Sequence, residues 1–226
     1  MGDNAMRGRL LVAMPLYTHV SVAWFLSWCM LDKSAMVEHL AVRKLYLEAS
    51  MCNMVASALK SNSGWDRMVV YEADMMPPVN ALNRIADYPD QLDIVGSMYF
   101  QHPAPHRPLV YAQVDENHYT ALLPNQIDEM MAKPGVYPVD AVGLGFTSIH
   151  RRVLEKWDPA VPMFAGGELG HDMWFSREAK RQGFMVHVDS GIECSHLTEW
   201  PVGYQDSKRL HTEISETARN TGESHG

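Results

Sequence analysis

The chain has 226 residues, 46% of them apolar, and a net charge of −8. That length buries a sizeable core within one domain, and the acidic balance argues against an extended, salt-sensitive grip on nucleic acid. Cys29, Cys52 and Cys194 stand far apart with no CxxC spacing, which excludes a disulfide framework or zinc knuckle and fits reduced thiols in a cytoplasmic setting.

The start, Met1-Gly2-Asp3-Asn4, lacks the basic-then-apolar pattern of a secretory leader. Arg9 to Met14 is an expected first strand, buried on both faces and stopped by Pro15. A loop from Leu16 to His19 leads to a helix over Ser21 to Leu31. The apolar run from Val20 to Leu31 is too short to span a bilayer, so no membrane span is expected. Strand, loop and helix make the opening of an α/β unit, in which ligands sit beyond the carboxyl ends of strands. Pro15 and Tyr17 are therefore candidate walls for a base, against the plainer reading of Tyr17 as a surface aromatic. Leu40 to Tyr46 is expected as a strand, and Ser50 as the N-cap of a helix over Met51 to Lys60.

Arg67 to Tyr71 is an apolar run suited to a buried strand, and it ends in Glu72-Ala73-Asp74. Core packing does not explain acids at a strand tip, because an ionised carboxylate is costly to bury unpaired. On an extended chain residues i and i+2 point the same way, so Glu72 and Asp74 could share a divalent cation. Alternatively, one caps the helix opened by Pro77 and Pro78 and the other is solvated. That helix is expected over Val79 to Ala86.

Leu92 to Tyr99 reads as the next strand, with Gly96 marking close approach by another backbone. His102 to Pro108 is a stiff loop whose His106 could meet an acceptor or phosphate. Leu109 to Val114 is a short strand, and Asp115 to Lys133 a loop or short helix. Tyr137 to Ile149 is strand-like. Its Gly143 and Gly145 lack the third glycine of a dinucleotide fingerprint and instead let a ligand or a second strand come near. Arg151 to Trp157 is a helix, and Pro162 to Gly170 a glycine-rich loop of a kind that can order over substrate. A helix from Gly170 to Gln182 carries Asp172 in its first turn, where the dipole favours an acid. Phe184 to Asp189 is the last strand, followed by His196, a lone histidine of a kind more often structural than a ligand. From Gln205 onward the chain is polar, giving a domain over 1–204 and a tail over 205–226.

The order of these features resembles the GT-A glycosyltransferases, in particular small single-domain, family 2-like members from bacteria and their viruses. The resemblance covers Leu10 to Leu197. Glu72-Ala73-Asp74 looks like the DxD motif, Gly170-His171-Asp172 like the acidic motif that carries the catalytic base of inverting members, and His196 like the late metal-binding histidine. Asn53 stands at the place of an Arg-Asn pair. Three positions depart from the pattern, with Glu72 for Asp, His171 for Glu, and Cys52 for Arg. The resemblance implies a Rossmann-like α/β fold with a mixed, mostly parallel sheet between helices. It implies Asp172 as base, with Asp74, His196 and Glu72 around Mn²⁺ or Mg²⁺. It also implies a nucleotide-sugar donor, a UDP-sugar first of all, held by Pro15, Tyr17, Asn53, Glu72, Ala73, Asp74, Gly143 and Gly145. His171, Trp174 and His106 are candidate acceptor contacts. The acceptor itself stays open between a glycan, a protein and a modified nucleic-acid base, and the setting would be a host cytoplasm if the chain is virus-encoded. A nucleotidyltransferase of similar fold and a non-catalytic sugar- or metal-binding module remain as alternatives. Pro15-Leu16-Tyr17-Thr18 carries no Lys or Arg for a triphosphate, which counts against the first.

Overall fold

The computed structural model describes residues 8–16, 19–43, 46–102, 104–167, 169–197, 201–202 and 204–205. The elements in chain order are β1 (Leu10–Leu16), α1 (Val22–Met30), β2 (Met36–Arg43), α2 (Leu47–Lys60), β3 (Arg67–Tyr71), β4 (Met75–Met76) and α3 (Ala81–Ala86). They continue with β5 (Ile94–Met98), β6 (Val110–Gln113), β7 (Tyr119–Ala121), α4 (Pro124–Ala132), β8 (Val136–Pro138), β9 (Ala141–Val142) and β10 (Phe146–His150). The last are α5 (Arg151–Glu155), α6 (Gly170–Arg181), β11 (Val186–Glu193), β12 (Ser195–Leu197) and β13 (Pro201–Val202).

A seven-stranded sheet in the order β2-β1-β3-β10-β5-β11-β8 forms the middle layer. β2, β1, β3, β5 and β11 share one direction, while β10 and β8 oppose it. Successive side chains on a strand point to opposite faces, and the two cores follow that rule. Leu11, Ala13, Met68 and Val70 pack with Met51, Met54 and Phe175 of α2 and α6. Leu10, Val12, Val69 and Tyr71 pack with Trp24 of α1 and with Leu82 and Ile85 of α3. The strands are apolar on both sides because helices cover both faces. The sheet is mixed and mostly parallel, as expected. No described helix is long and apolar enough to cross a membrane.

Several expected elements moved. β1 runs through Pro15, which pairs with Val42 of β2. The pairing of β1 with β3 ends at Ala13, so Pro15 has one neighbouring strand and its missing N–H costs no ladder bond. The strand expected over Leu40 to Tyr46 is β2, four residues earlier. Ser50 is not an N-cap. α2 begins at Leu47, the Ser50 N–H already bonds to Tyr46 O at 2.9 Å, and its hydroxyl lies 3.4 Å from Arg43 O. Within 115–133 the chain forms β7 and α4, the latter opened by Pro124 at a position where a missing N–H is harmless.

The single strand expected over Tyr137 to Ile149 is three short ones. β8 joins the main sheet, β9 pairs with β6 in a separate three-stranded sheet, and β10 returns to the main sheet. Gly96 does mark a close approach, but by a side chain. A Cβ there would stand 2.8 Å from Val142 Cβ. The expected tail over 206–226 lies outside the described residues.

Candidate active site

β3 ends at Tyr71, and Glu72 to Asp74 form a turn rather than extended chain, closed by Met75 N–H donating to Glu72 O at 3.2 Å. The shared direction inferred from an extended i, i+2 pair therefore does not apply. Three bonds fix the turn instead. Glu72 N–H donates to Gly145 O at 2.8 Å and Leu197 N–H to Asp74 O at 2.6 Å. The Trp24 indole N–H donates to Glu72 O at 2.9 Å.

The pairing of β12 with β4 sets His196 opposite Met75, and this brings two residues 122 positions apart in sequence to one place. His196 Nε2 lies 3.6 Å from Asp74 Oδ2. His196 Nδ1 faces Phe100 O at 2.9 Å. A carbonyl only accepts, so Nδ1 carries the proton and Nε2 is the nitrogen turned toward Asp74. Burial lowers the His196 pKa. The Asp74 hydrogen bond, the Phe100 carbonyl and the charges of Asp74 and Glu72 outweigh it and raise the group above an ordinary imidazole.

Asp172 sits in the first turn of α6, after Gly170 at φ +72°, a left-handed conformation that favours glycine. His171 Nε2 lies 2.7 Å from Asp172 Oδ1. Burial lowers His171, but its bond to Asp172 and the charges of Asp172, Glu72 and Glu48 prevail and raise it.

Tyr99, fully buried at the end of β5, joins the two halves. Its ring packs edge-on against His196 at 5.6 Å, and its hydroxyl accepts from Gly145 N–H at 2.9 Å. Burial, then the Asp172 charge and the Glu72 charge, push its hydroxyl well above the phenol range against the Gly145 bond. Burial and Asp172 likewise push Tyr111 up to about 12. Tyr99 thus touches His196 and feels the charges of Asp172 and Glu72 near the carboxyl ends of β3 and β5.

The other candidate residues divide. Ala73 is part of the acidic turn. Gly143 and Gly145 lie beside the site, but the close approach they permit is made by the protein. A Cβ on Gly143 would stand 2.1 Å from Tyr99 Oη, and one on Gly145 would stand 3.0 Å from Met75 Sδ. Pro15 is a buried strand residue. Tyr17 lies outside the described residues. Asn53 is exposed on α2 and shares no hydrogen bond, ion pair or ring contact with the cluster among the described residues. His106, at φ +51°, packs edge-on against His102 at 6.1 Å. Trp174 lies further along α6.

Sequence reasoning missed Tyr99, Tyr111 and His102. His102 Nε2 donates to His196 O at 2.9 Å, with ring centres 4.5 Å apart. Burial, the nearby imidazoles and the His196 carbonyl act on it, and the net effect lowers its pKa. The signal available for Tyr99 was its place at the carboxyl end of an apolar strand, two strands from the acidic turn.

No protein-family description and no curated protein sequence matches this chain. Solved structures do. The crystal structure of A197 from STIV aligns with a TM-score of 0.62 at 19% identity, over 84% of this chain and 86% of that one. The crystal structure of GalNAc-T7 with UDP, GalNAc and Mn²⁺ aligns with a TM-score of 0.54 at 11% identity, over 86% of this chain. It is covered over only 45% of its own length. With its mixed seven-stranded sheet between helices and these neighbours, the chain has the GT-A glycosyltransferase fold.

Proposed function

We propose that this chain is a metal-dependent glycosyltransferase that moves a sugar from a nucleotide-diphosphate donor to a hydroxyl acceptor with inversion. The observation that supports the reading is the approach of His196 to Asp74 in a GT-A fold, with Tyr99 packed on His196 and within the field of Asp172. The GalNAc-T7 structure contains UDP and Mn²⁺, which supports a UDP-linked donor and Mn²⁺ for this chain.

The residues present fit a shared cation. Asp74 offers a hard oxygen and His196 a nitrogen with its tautomer fixed by Phe100, a mixed set that suits Mn²⁺ at least as well as Mg²⁺. Among the described residues no group of three or more His, Cys, Asp or Glu gathers as a cage. An ion held by Asp74 and His196 would take its remaining ligands from diphosphate and water. When bound, such an ion neutralises the charge that develops on the diphosphate.

The chain's own residues do the rest. Asp172, oriented through Oδ1 by His171, takes the acceptor hydroxyl proton. The acceptor oxygen bonds to the anomeric carbon as the bond from that carbon to the diphosphate oxygen breaks. The nucleoside diphosphate leaves with the electron pair. Glu72 adds negative charge beside His196 and His171 and serves the ribose or a cation-bound water.

The test is release of nucleoside diphosphate from a panel of UDP-, GDP- and dTDP-sugars, with and without Mn²⁺. Mn²⁺-dependent release from at least one donor is expected. Binding without turnover would make the chain a non-catalytic module. Pyrophosphate release from a nucleoside triphosphate and a sugar phosphate would make it a nucleotidyltransferase.

A further inference from the structure

A cavity of about 460 Å³ opens beside α6 and is walled by Asn117, His118, Gly167, Trp174 and Arg177 among others. That volume lies in the range of small-molecule sites. We propose that it is the acceptor subsite and that the acceptor is a neutral oligosaccharide of at least two rings. The inference rests on the transferase reading above.

Trp174 is held as a shelf. Its indole N–H donates to Pro162 O at 2.9 Å, and the Arg177 guanidinium lies 4.7 Å from the ring centre, a cation–π contact that fixes the plane. Arg177 is itself committed. It donates to Glu178 Oε1 at 2.9 Å and to Asn117 Oδ1 at 3.0 Å. With Oδ1 engaged, Asn117 presents its NH₂ group as donor. Asp115 holds His118 Nδ1 at 2.7 Å, so His118 presents Nε2. Gly167, at φ +88°, would have nothing within 4 Å of a Cβ, so this wall is open backbone.

An immobile aromatic face beside neutral donors and acceptors matches a sugar, whose ring carries apolar C–H faces and hydroxyl edges. It does not match a phosphodiester. The nearby Arg177 and Arg181 guanidinium groups are both paired within the protein, so neither is left to hold phosphate.

Position sets the minimum length. On α6, Trp174 lies three residues from His171, and side chains at that spacing are neighbours about 5–6 Å apart. His171 contacts Asp172. A ring stacked on Trp174 is therefore separated from Asp172 by the His171 side chain, and the reacting hydroxyl belongs to the next ring.

The first test needs no donor. The full chain is applied to an array of defined neutral oligosaccharides with oligothymidylate printed beside them. Binding to glycans of two or more rings is expected, weakened about tenfold or more by Trp174→Ala and partly regained by Trp174→Phe. Binding to no glycan, preference for oligothymidylate, or Trp174→Ala binding like the parent would each overturn the proposal.

The second test is kinetic. With the glycan so found, Trp174→Ala should raise KM for the glycan about tenfold and KM for the donor no more than about twofold. Asn117→Ala, on the exposed hairpin, should act the same way more weakly. An equal rise in both constants would count against the subsite. Turnover with Trp174-insensitive acceptor use would sink this proposal alone. Glycan binding through Trp174 with no donor turnover would sink the transferase reading and leave the cavity a glycan site.

Discussion

Asp189 and Asp74 are both acids of strand-rich segments, and the molecule treats them differently. Asp189 on β11 has a side chain 0% exposed. Arg84 grips both its oxygens at 2.6 and 2.8 Å, Tyr88 donates to it at 2.6 Å and Gly191 N–H at 2.8 Å. Even the lack of a side chain at Gly191 serves this pair, since a Cβ there would stand 2.5 Å from the Arg84 guanidinium. Asp74 has a side chain 35% exposed, and its Oδ2 lies 3.6 Å from His196 Nε2. A carboxylate enclosed by fixed donors is part of the framework. One that is partly open to solvent beside an imidazole, near the carboxyl ends of parallel strands, is the one the proposed function draws on.

The comparison can be broken at either end. The largest effect is expected on catalysis. Asp172→Asn should lower transfer about 10²–10⁴-fold while UDP binding persists, measured by single-turnover kinetics beside calorimetry. Transfer near the parent rate would remove Asp172 as base. On the framework side, Asp189→Ala leaves Arg84 without its partner and should cost about 3 kcal/mol in urea unfolding. The Arg84 side chain is 37% exposed, which keeps the cost at the lower end of what a broken buried pair loses. A donor KM shifted as strongly as the stability would show that Asp189 belongs to the site after all.

Smaller effects sharpen the picture. Tyr99→Phe removes the acceptor of the buried Gly145 N–H and should cost about 1–2 kcal/mol in the same assay. The smallest concerns pH. The folded state raises the His171 pKa, so His171 stabilises fully below its unfolded value of about 6.5. That contribution fades as pH rises through the folded value. His171→Gln should therefore be less stable than the parent by about 1 kcal/mol or less near pH 6, with the gap closing toward pH 9. A gap that widened with pH would reverse the sign.

The same contrast explains what the sequence disclosed. β1, β3, β5 and the extent of α6 were legible because their periodicity and end signals are local. Glu72, Asp74, Asp172 and His196 were singled out as residues through their order along the chain. The local structure around them was not legible. The Glu72–Asp74 segment is a turn held by Gly145, Leu197 and Trp24, all distant in sequence. The division of 137–149 into three strands depends on which sheet each piece finds to pair with, a tertiary choice no period encodes. Asp189 carried no signal because its partners, Arg84 and Tyr88, lie more than a hundred residues away. Tyr99 was hidden for the opposite reason. It looks like an ordinary buried aromatic, and only its neighbours show that its hydroxyl is bonded to Gly145 and feels the charges of Asp172 and Glu72.

The most direct measurement is calorimetric titration of UDP into the protein with and without Mn²⁺, repeated on Asp74→Ala. Asp74 and His196 sharing a cation with the donor diphosphate predicts UDP binding that requires Mn²⁺ and is lost in the variant. UDP binding equally tight without the metal, or undiminished in Asp74→Ala, would contradict it.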